Sequence, residues 1–344
     1  MTEVCVYGAG SIGCYVGGRL QAGGARVTFV GRERLAGEIR AAGLHLTDYL
    51  GADLSVKPAD IRFATEPSAA AAADLVLVTV KSAGTDEAGR ELAQVAKSRA
   101  VVISFQNGLS NADVLRRHLT RQTVLTGMVP FNVVNRGQGR FHQGSEGALE
   151  ADAHEKLAPF LPLFTQAGLP LTTCNNMREV LWAKLLLNLN NAINALSDIP
   201  LKAELSQRAY RRCLALAQRE GLALLDAAGI KPAKLTPLPP HWIPRLIGTP
   251  DWIFRLLANR MLAIDPLARS SMWEDLQAGR KTEIDWINGE VVKLAQSLGR
   301  RAPVNEKLIA LIRAAEQGGR RRWAGAELLA ECARPEKAEL QGRI

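Results

Sequence analysis

The chain has 344 residues, of which 47% are hydrophobic and 22% charged, with a formal net charge of +9. That length and mix suit a globular protein with two domains, each large enough for its own core, and exclude a disordered or fibrous chain. The positive excess suits an anionic ligand; no helix-turn-helix, zinc-finger or aromatic RNA-binding pattern accompanies it, so nucleic acid is not an expected partner.

Residues 4–7 (VCVY) read as a first strand, which runs directly into Gly8-Ala9-Gly10-Ser11-Ile12-Gly13. Residues 11–22 read as the helix that follows. A strand, G-x-G-x-x-G and a helix in that order form the phosphate-gripping turn of a dinucleotide fold. The first glycine permits the tight turn, the second lets backbone approach a pyrophosphate, and the third lets helix pack on strand. The helix start supplies N–H donors and the positive dipole end.

Residues 26–30 read as strand two, entered through Gly23-Gly24 and followed by Gly31-Arg32. An NAD-preferring fold places an acid here for the ribose 2′-hydroxyl, whereas Arg32 suits a 2′-phosphate, so NADP (NADPH) is the expected cofactor. Glu33, one residue on, is the counter-argument, and a solvated turn is the plainer reading of Arg32. Residues 74–80 (DLVLVTV) form a buried strand ending in Lys81, which either reaches the cofactor or snorkels at the surface. Residues 100–105 form another strand, followed by Gln106-Asn107-Gly108, where Asn107 is either a ligand-facing amide or part of a turn. A further strand is expected within 123–134 and one more within 141–149. Near-continuous Val/Ile/Leu runs imply strands buried on both faces, hence a mainly parallel sheet with ligands at the strands' carboxyl ends.

From residue 175 the pattern is helical. Residues 177–196 read as one long helix, and 207–228 as another closed by Gly229. Residues 231–250 carry six prolines and read as a loop or broken helix, either a lid or a link. Residues 270 to about 298 read as one long amphipathic helix, and 305–317 as the next. The expected architecture is α/β: a Rossmann-type dinucleotide-binding domain over 1–174, then an all-α substrate domain over 175–344.

In the first of these helices, Lys184, Asn188 and Asn191 share one face among leucines and alanines. Burying an unpaired ammonium is costly, so Lys184 is either paired, functional or at the helix edge. Burial would also lower its pKa toward the range of a general acid. In the charged stretch 270–285, Glu283 lies among Ile284, Ile287 and Val291 and can point inward.

Five scattered cysteines, at 5, 14, 174, 213 and 332, form no C-x-x-C pair and fit reduced thiols in the cytoplasm. The five histidines show no metal-ligand spacing. No signal-peptide pattern opens the chain and no apolar run reaches membrane length.

Together GAGSIG, Lys81, QNG at 106–108, W-x-K-L-x-x-N at 182–188 and SSM…TEIDWING over 270–289 resemble the ketopantoate reductase (2-dehydropantoate 2-reductase) family. The motifs fall in that family's order and span most of the chain. The resemblance implies NADPH-dependent reduction of the 2-oxo acid ketopantoate, with Lys184 as general acid and Glu283 beside it. Asn107 would serve the nicotinamide side and the substrate, and Asn188 and Ser271 would hold the substrate. The family's second asparagine, eight residues after the lysine, is here Ala192; Asn191 shares the lysine's face, while Asn194 has the better local context. Ser110 replaces a glycine often found after QNG, and 128–132 (MVPFN) also departs from the family pattern. A reductase of another branched 2-oxo acid and a non-catalytic NADP-binding sensor are the alternatives. A homodimer is compatible with the sequence.

Overall fold

The structure, a computed structural model, describes residues 2–257 and 268–334; the end of the expected second domain, 335–344, lies outside the described residues. The chain divides into two compact units, Met1–Met177 and Arg178–Ile344.

The first unit runs β1 (Glu3–Tyr7), α1 (Ser11–Ala22), β2 (Arg26–Val30), α2 (Glu33–Ala42), β3 (Leu44–Asp48), β4 (Asp53–Val56) and β5 (Arg62–Ala64). It continues with β6 (Leu75–Val78), α3 (Thr85–Val95), β7 (Val101–Ser104), α4 (Asn111–His118), β8 (Thr123–Met128) and β9 (Val133–Asn135). β10 (Arg140–Gln143), β11 (Leu149–Asp152), α5 (Leu161–Gln166) and β12 (Leu171–Cys174) close it. The large sheet has the order β12-β11-β8-β7-β6-β1-β2-β5. From β5 to β8 every neighbour pair is parallel, and only β8 with β11 is antiparallel. Chain direction reverses its march across the sheet between β1 and β6, the switch point at which such sheets collect ligands. Every residue of β6 and β7 is buried, as strands covered on both faces require.

A second sheet, β4-β3-β10-β9, was not expected from the sequence. Its key pairing joins β3 to β10 in parallel, with Leu46 opposite Phe141. The single strand expected within 141–149 is in fact two, β10 and β11, one in each sheet. Between the sheets lies α1, in contact with β1 and β2 on one side and with β3, β4, β9 and β10 on the other. Its residues Gly13 to Leu20 are all buried. Only small residues allow this double contact: a Cβ on Gly17 would lie 2.6 Å from Phe29 and Val6, and one on Gly18 2.8 Å from Leu46.

The second unit is helical: α6 (Met177–Asn188), which begins at the boundary, α7 (Asn190–Ser197), α8 (Leu201–Leu205), α9 (Arg208–Ala227), α10 (Ile243–Ile247) and α11 (Asp251–Leu257). α12 (Ser271–Gln277), α13 (Asn288–Ser297), α14 (Pro303–Glu316) and α15 (Gly325–Ala333) follow.

Two expected long helices are interrupted. The one expected over 177–196 breaks at Leu189, where Gln218 Nε2 of α9 donates to the Leu186 carbonyl at 3.1 Å. A side chain inserted at the carbonyl ladder is a recognised cause of such a break. The one expected over 270–298 stops at Gly279, whose φ of +63° closes α12 with bonds from Gly279 N–H to Leu276 and from Arg280 N–H to Asp275. Thr282 is then held by Glu316, at 2.8 Å from its N–H and 2.7 Å from its hydroxyl. Glu283 therefore leaves the helix and starts a 3₁₀ turn, Ile284–Trp286.

The proline-rich stretch is a broken helix: Pro240 opens a 3₁₀ turn and Pro244 lies in the first turn of α10. Arg211, with no exposed surface, fastens its far end by donating to the carbonyls of Leu205, Ile247 and Thr249 and pairing with Asp251.

Candidate active site

In the first unit the glycine turn has the geometry of an anion grip. Gly8 has φ +106°, and its N–H and that of Ala9 both donate to the Val30 carbonyl at 2.9 and 2.8 Å. Thr79 Oγ1 donates to the Gly8 carbonyl at 2.8 Å and so pins the turn to the chain leaving β6. A Cβ on Gly8 would fall 2.4 Å from the Val80 nitrogen, and one on Gly13 2.5 Å from Thr79 Oγ1. Gly10 differs: it is exposed, and the nearest atom to a Cβ there is 3.9 Å away. Two glycines are thus demanded by packing and one leaves an open approach. No side chain caps α1, so the first-turn N–H groups of Ser11, Ile12 and Gly13 are left without a side-chain acceptor, as an anion site at a helix start requires.

Arg32 is exposed at the start of α2. Its two charged neighbours are engaged along their own helix, Glu33 with Arg40 at 2.7 Å and Arg34 with Glu38 at 2.5 Å. The acid that could have bound a ribose hydroxyl is therefore tied to an arginine.

Lys81 is exposed at the end of the chain leaving β6, and Asn107 is half-buried after β7. Beneath them lies a polar network that the sequence reading missed. The Asn107 carbonyl accepts from Ser82 Oγ at 3.0 Å and from Asn111 Nδ2 at 2.5 Å. Thr85 Oγ1 donates to Asn111 Oδ1, and Gln106 Nε2 donates to Thr85 Oγ1 and to the Val80 carbonyl. Ser104 Oγ completes it by donating to Gln106 Oε1 at 2.8 Å. Buried and cross-bonded, this network fixes the backbone that carries Lys81 and Asn107. Asn111, four residues beyond Asn107 on the next helix, was the available signal.

In the second unit Lys184 is half-buried on α6, between the buried Ala183 and Leu185. Burial pulls its ammonium down to about 8, and the Glu283 carboxylate opposes that fall. Lys184 and Glu283, 99 positions apart in sequence, are thus electrostatic partners. Asn188 ends α6, and the break at Leu189 places Asn191 on α7; both are half-buried. The Asn191 carbonyl accepts from Ser270 Oγ at 3.2 Å. Ser270 is buried and caps α12 by accepting from the Trp273 N–H, which leaves Ser271 exposed as the first helical residue.

Asn194 is fully enclosed. Its Nδ2 donates to Glu204 Oε2 at 2.7 Å and to the Ile199 carbonyl at 3.0 Å, while its Oδ1 accepts from the Ser270 N–H at 2.8 Å. Both its amide hydrogens and its amide oxygen are engaged inside the packing.

Among the described residues no cluster of three or more His, Cys, Asp or Glu has metal-site geometry, and no helix is long and apolar enough to cross a membrane.

Residues 4–156 match the family described as ketopantoate reductase PanE/ApbA, and residues 176–316 match its C-terminal counterpart. A 2-dehydropantoate 2-reductase of Halobacterium salinarum is 31% identical over 325 residues, covering 92% of this chain and 100% of that protein. A crystal structure of a PanE/ApbA family ketopantoate reductase from Ralstonia eutropha superposes with a TM-score of 0.78 at 31% identity, covering 92% of this chain and 99% of that one. At 17% identity, the ternary structure of D-mandelate dehydrogenase with NADH and anilino(oxo)acetate shares the fold, with a TM-score of 0.74 and 92% and 99% coverage. With both halves of the chain matched in order and a relative of this identity aligned along nearly its whole length, the chain belongs to the ketopantoate reductase family and is an oxidoreductase.

Proposed function

We propose that the protein reduces 2-dehydropantoate (ketopantoate) to pantoate with NADPH, the reductive step of pantothenate and coenzyme A biosynthesis, with Lys184 as general acid. What supports this reading is Lys184, half-buried on α6 between Ala183 and Leu185, where burial pulls its ammonium down to about 8 and the Glu283 carboxylate opposes that fall. A lysine in that state is protonated near neutral pH and gives up its proton readily.

The nicotinamide supplies hydride when bound; the remaining work falls to the chain's own residues. The N–H groups of Ser11, Ile12 and Gly13 would hold the pyrophosphate, and Arg32 would pair with the 2′-phosphate. Lys81 and Asn107, on backbone fixed by the Gln106–Thr85–Asn111 network, orient the nicotinamide side, with Asn107 also reaching the substrate. Lys184 meets the carbonyl oxygen as negative charge grows there, stabilises it, and delivers a proton from Nζ. Ser271, Asn188 and Asn191 bind the substrate's carboxylate and hydroxyl as neutral donors, so no second cation competes with Lys184. Asn191 takes the second asparagine role, because Asn194 is spent on Glu204 and Ser270.

NADPH oxidation against a panel of 2-oxo acids tests this reading. Ketopantoate should show the highest kcat/KM; equal values for ketopantoate and 2-oxoisovalerate would remove the substrate assignment, and no turnover with any 2-oxo acid would remove the reaction. Arg32→Ala should raise the KM for NADPH about 10–100-fold, the loss of one charge-assisted contact of about 1.5–3 kcal/mol. The KM for NADH should hardly move, and equal losses for both cofactors would end the phosphate role.

A further inference from the structure

Glu204 is a carboxyl group with no exposed surface, and no ion pair to it is found among the described residues. Its Oε2 accepts from Asn194 Nδ2 at 2.7 Å. Its Oε1 is buried with no hydrogen-bond partner, and so is Oδ1 of Asn190, whose amide group lies beside the carboxyl. A buried carboxylate with no cation beside it and one oxygen left bare is costly. A proton on Oε1 removes the buried charge, while Oε2 remains an acceptor for Asn194.

Among the described residues, the titratable and charged groups near Glu204 give it no counter-charge. On α9, Tyr210 and Cys213 feel the charge of Glu204. Burial and then Glu204 push the Tyr210 phenol up; the Cys332 thiol, burial and, last, Glu204 push the Cys213 thiol up, so both stay neutral. Arg211 spends its guanidinium on the carbonyls of Leu205, Ile247 and Thr249 and on Asp251. Asp198 at the end of α7 is engaged with Trp273, Arg322 and Arg269, and on α15 Glu327 pairs with Arg320. Lys202, on α8 itself, is exposed.

The carboxyl is also linked to the substrate side of the unit. Asn194, held by Glu204, accepts the Ser270 N–H; Ser270 in turn caps α12 and donates to the Asn191 carbonyl. We propose that Glu204 is a neutral carboxylic acid in the working protein, protonated on Oε1. In this form it is the positioning residue that holds, through Asn194 and Ser270, the helix start bearing Ser271 and the backbone of Asn191. The positioning part rests on the reading that Ser271 and Asn191 hold the oxo acid; the protonation part does not.

Burial raises the Glu204 carboxyl to about 8, against the pull of its two amide neighbours. The folded chain therefore keeps a proton that the unfolded chain loses near the ordinary carboxyl range. Folding stability from this group is greatest at low pH, falls as pH climbs from that range to about 8, and is level beyond.

Glu204→Gln is an uncharged mimic of the acid and is the test. Infrared spectra of the wild type at pH 7 should contain a protonated-carboxyl C=O band that Glu204→Gln lacks and that Asn190→Leu shifts. Denaturant melts should show the wild type losing stability relative to Glu204→Gln between about pH 5 and 8. The ratio of wild-type to variant KM for the 2-oxo acid should be near one at pH 6.5 and rise about tenfold by pH 9, while the kcat ratio stays flat because both proteins share Lys184. Failure to find the acid band, or identical pH–stability curves, overturns the protonation. A flat KM ratio with the band present overturns the positioning. The first two measurements need no substrate, so they stand whatever the oxo acid is. Should Glu204→Gln not fold, the wild-type band and its shift in Asn190→Leu decide the protonation.

Discussion

Lys184→Ala should lower kcat about 10³-fold, within the range of about 10²–10⁴ that a positioned acid contributes, while NADPH binding and the thermal midpoint stay near wild type. The selectivity of this loss follows from where the lysine lies. It is one side chain on a helix whose neighbours Ala183 and Leu185 keep their own packing, and removing a charge from apolar surroundings forfeits no large burial term. In the wild type kcat should fall as pH rises through about 8, since Lys184 Nζ is then losing the proton it must donate. Glu283 raises that value, so Glu283→Gln should move the alkaline limb to lower pH rather than higher. Single-turnover rates across the pH range make the measurement, because they isolate chemistry from product release. A Lys184→Ala enzyme with an unchanged rate, or a limb that moves upward in Glu283→Gln, would end the assignment.

Gly8→Ala and Gly10→Ala should fail in opposite ways. At Gly8 an added Cβ meets the Val80 backbone nitrogen at 2.4 Å and is forced to φ +106°. Backbone strain of about 1–3 kcal/mol and overpacking of similar size should lower the thermal midpoint by about 10 °C. At Gly10 the added carbon meets nothing closer than 3.9 Å, so the midpoint should hold. The methyl group would instead occupy the approach to the helix start and weaken NADPH binding about tenfold or more, a cost of at least about 1.4 kcal/mol. Calorimetric melting and cofactor titration of the two variants separate packing from access. If both variants melt alike, the two glycines have been misassigned.

Much of the α/β unit was legible because its signals are local. α1 ends and β2 begins around the Gly23-Gly24 pair, and β6 and β7 declare themselves as unbroken buried runs. The second sheet was not legible, since β3 finds its parallel partner β10 nearly a hundred residues later and pairing over that distance leaves no local trace. The helix breaks failed for a related reason. The side chain inserted at the Leu186 carbonyl comes from Gln218, and Thr282 is drawn out of line by Glu316. Lys184 was readable as an ammonium in an apolar helix, and its link to Glu283 came through family resemblance rather than periodicity. Glu204 stayed hidden because an acid between Lys202 and Ser206 reads as an ordinary solvated helix charge. Its meaning appears only once Asn190 and Asn194 fold over it.

The wedging of α1 between two sheets has a thermodynamic consequence. Its buried stretch begins at Gly13, within the first turn, so amides that would receive a phosphate on the proposed function are held in place beforehand and lose little freedom on capture. Association then costs mainly the dinucleotide's own entropy.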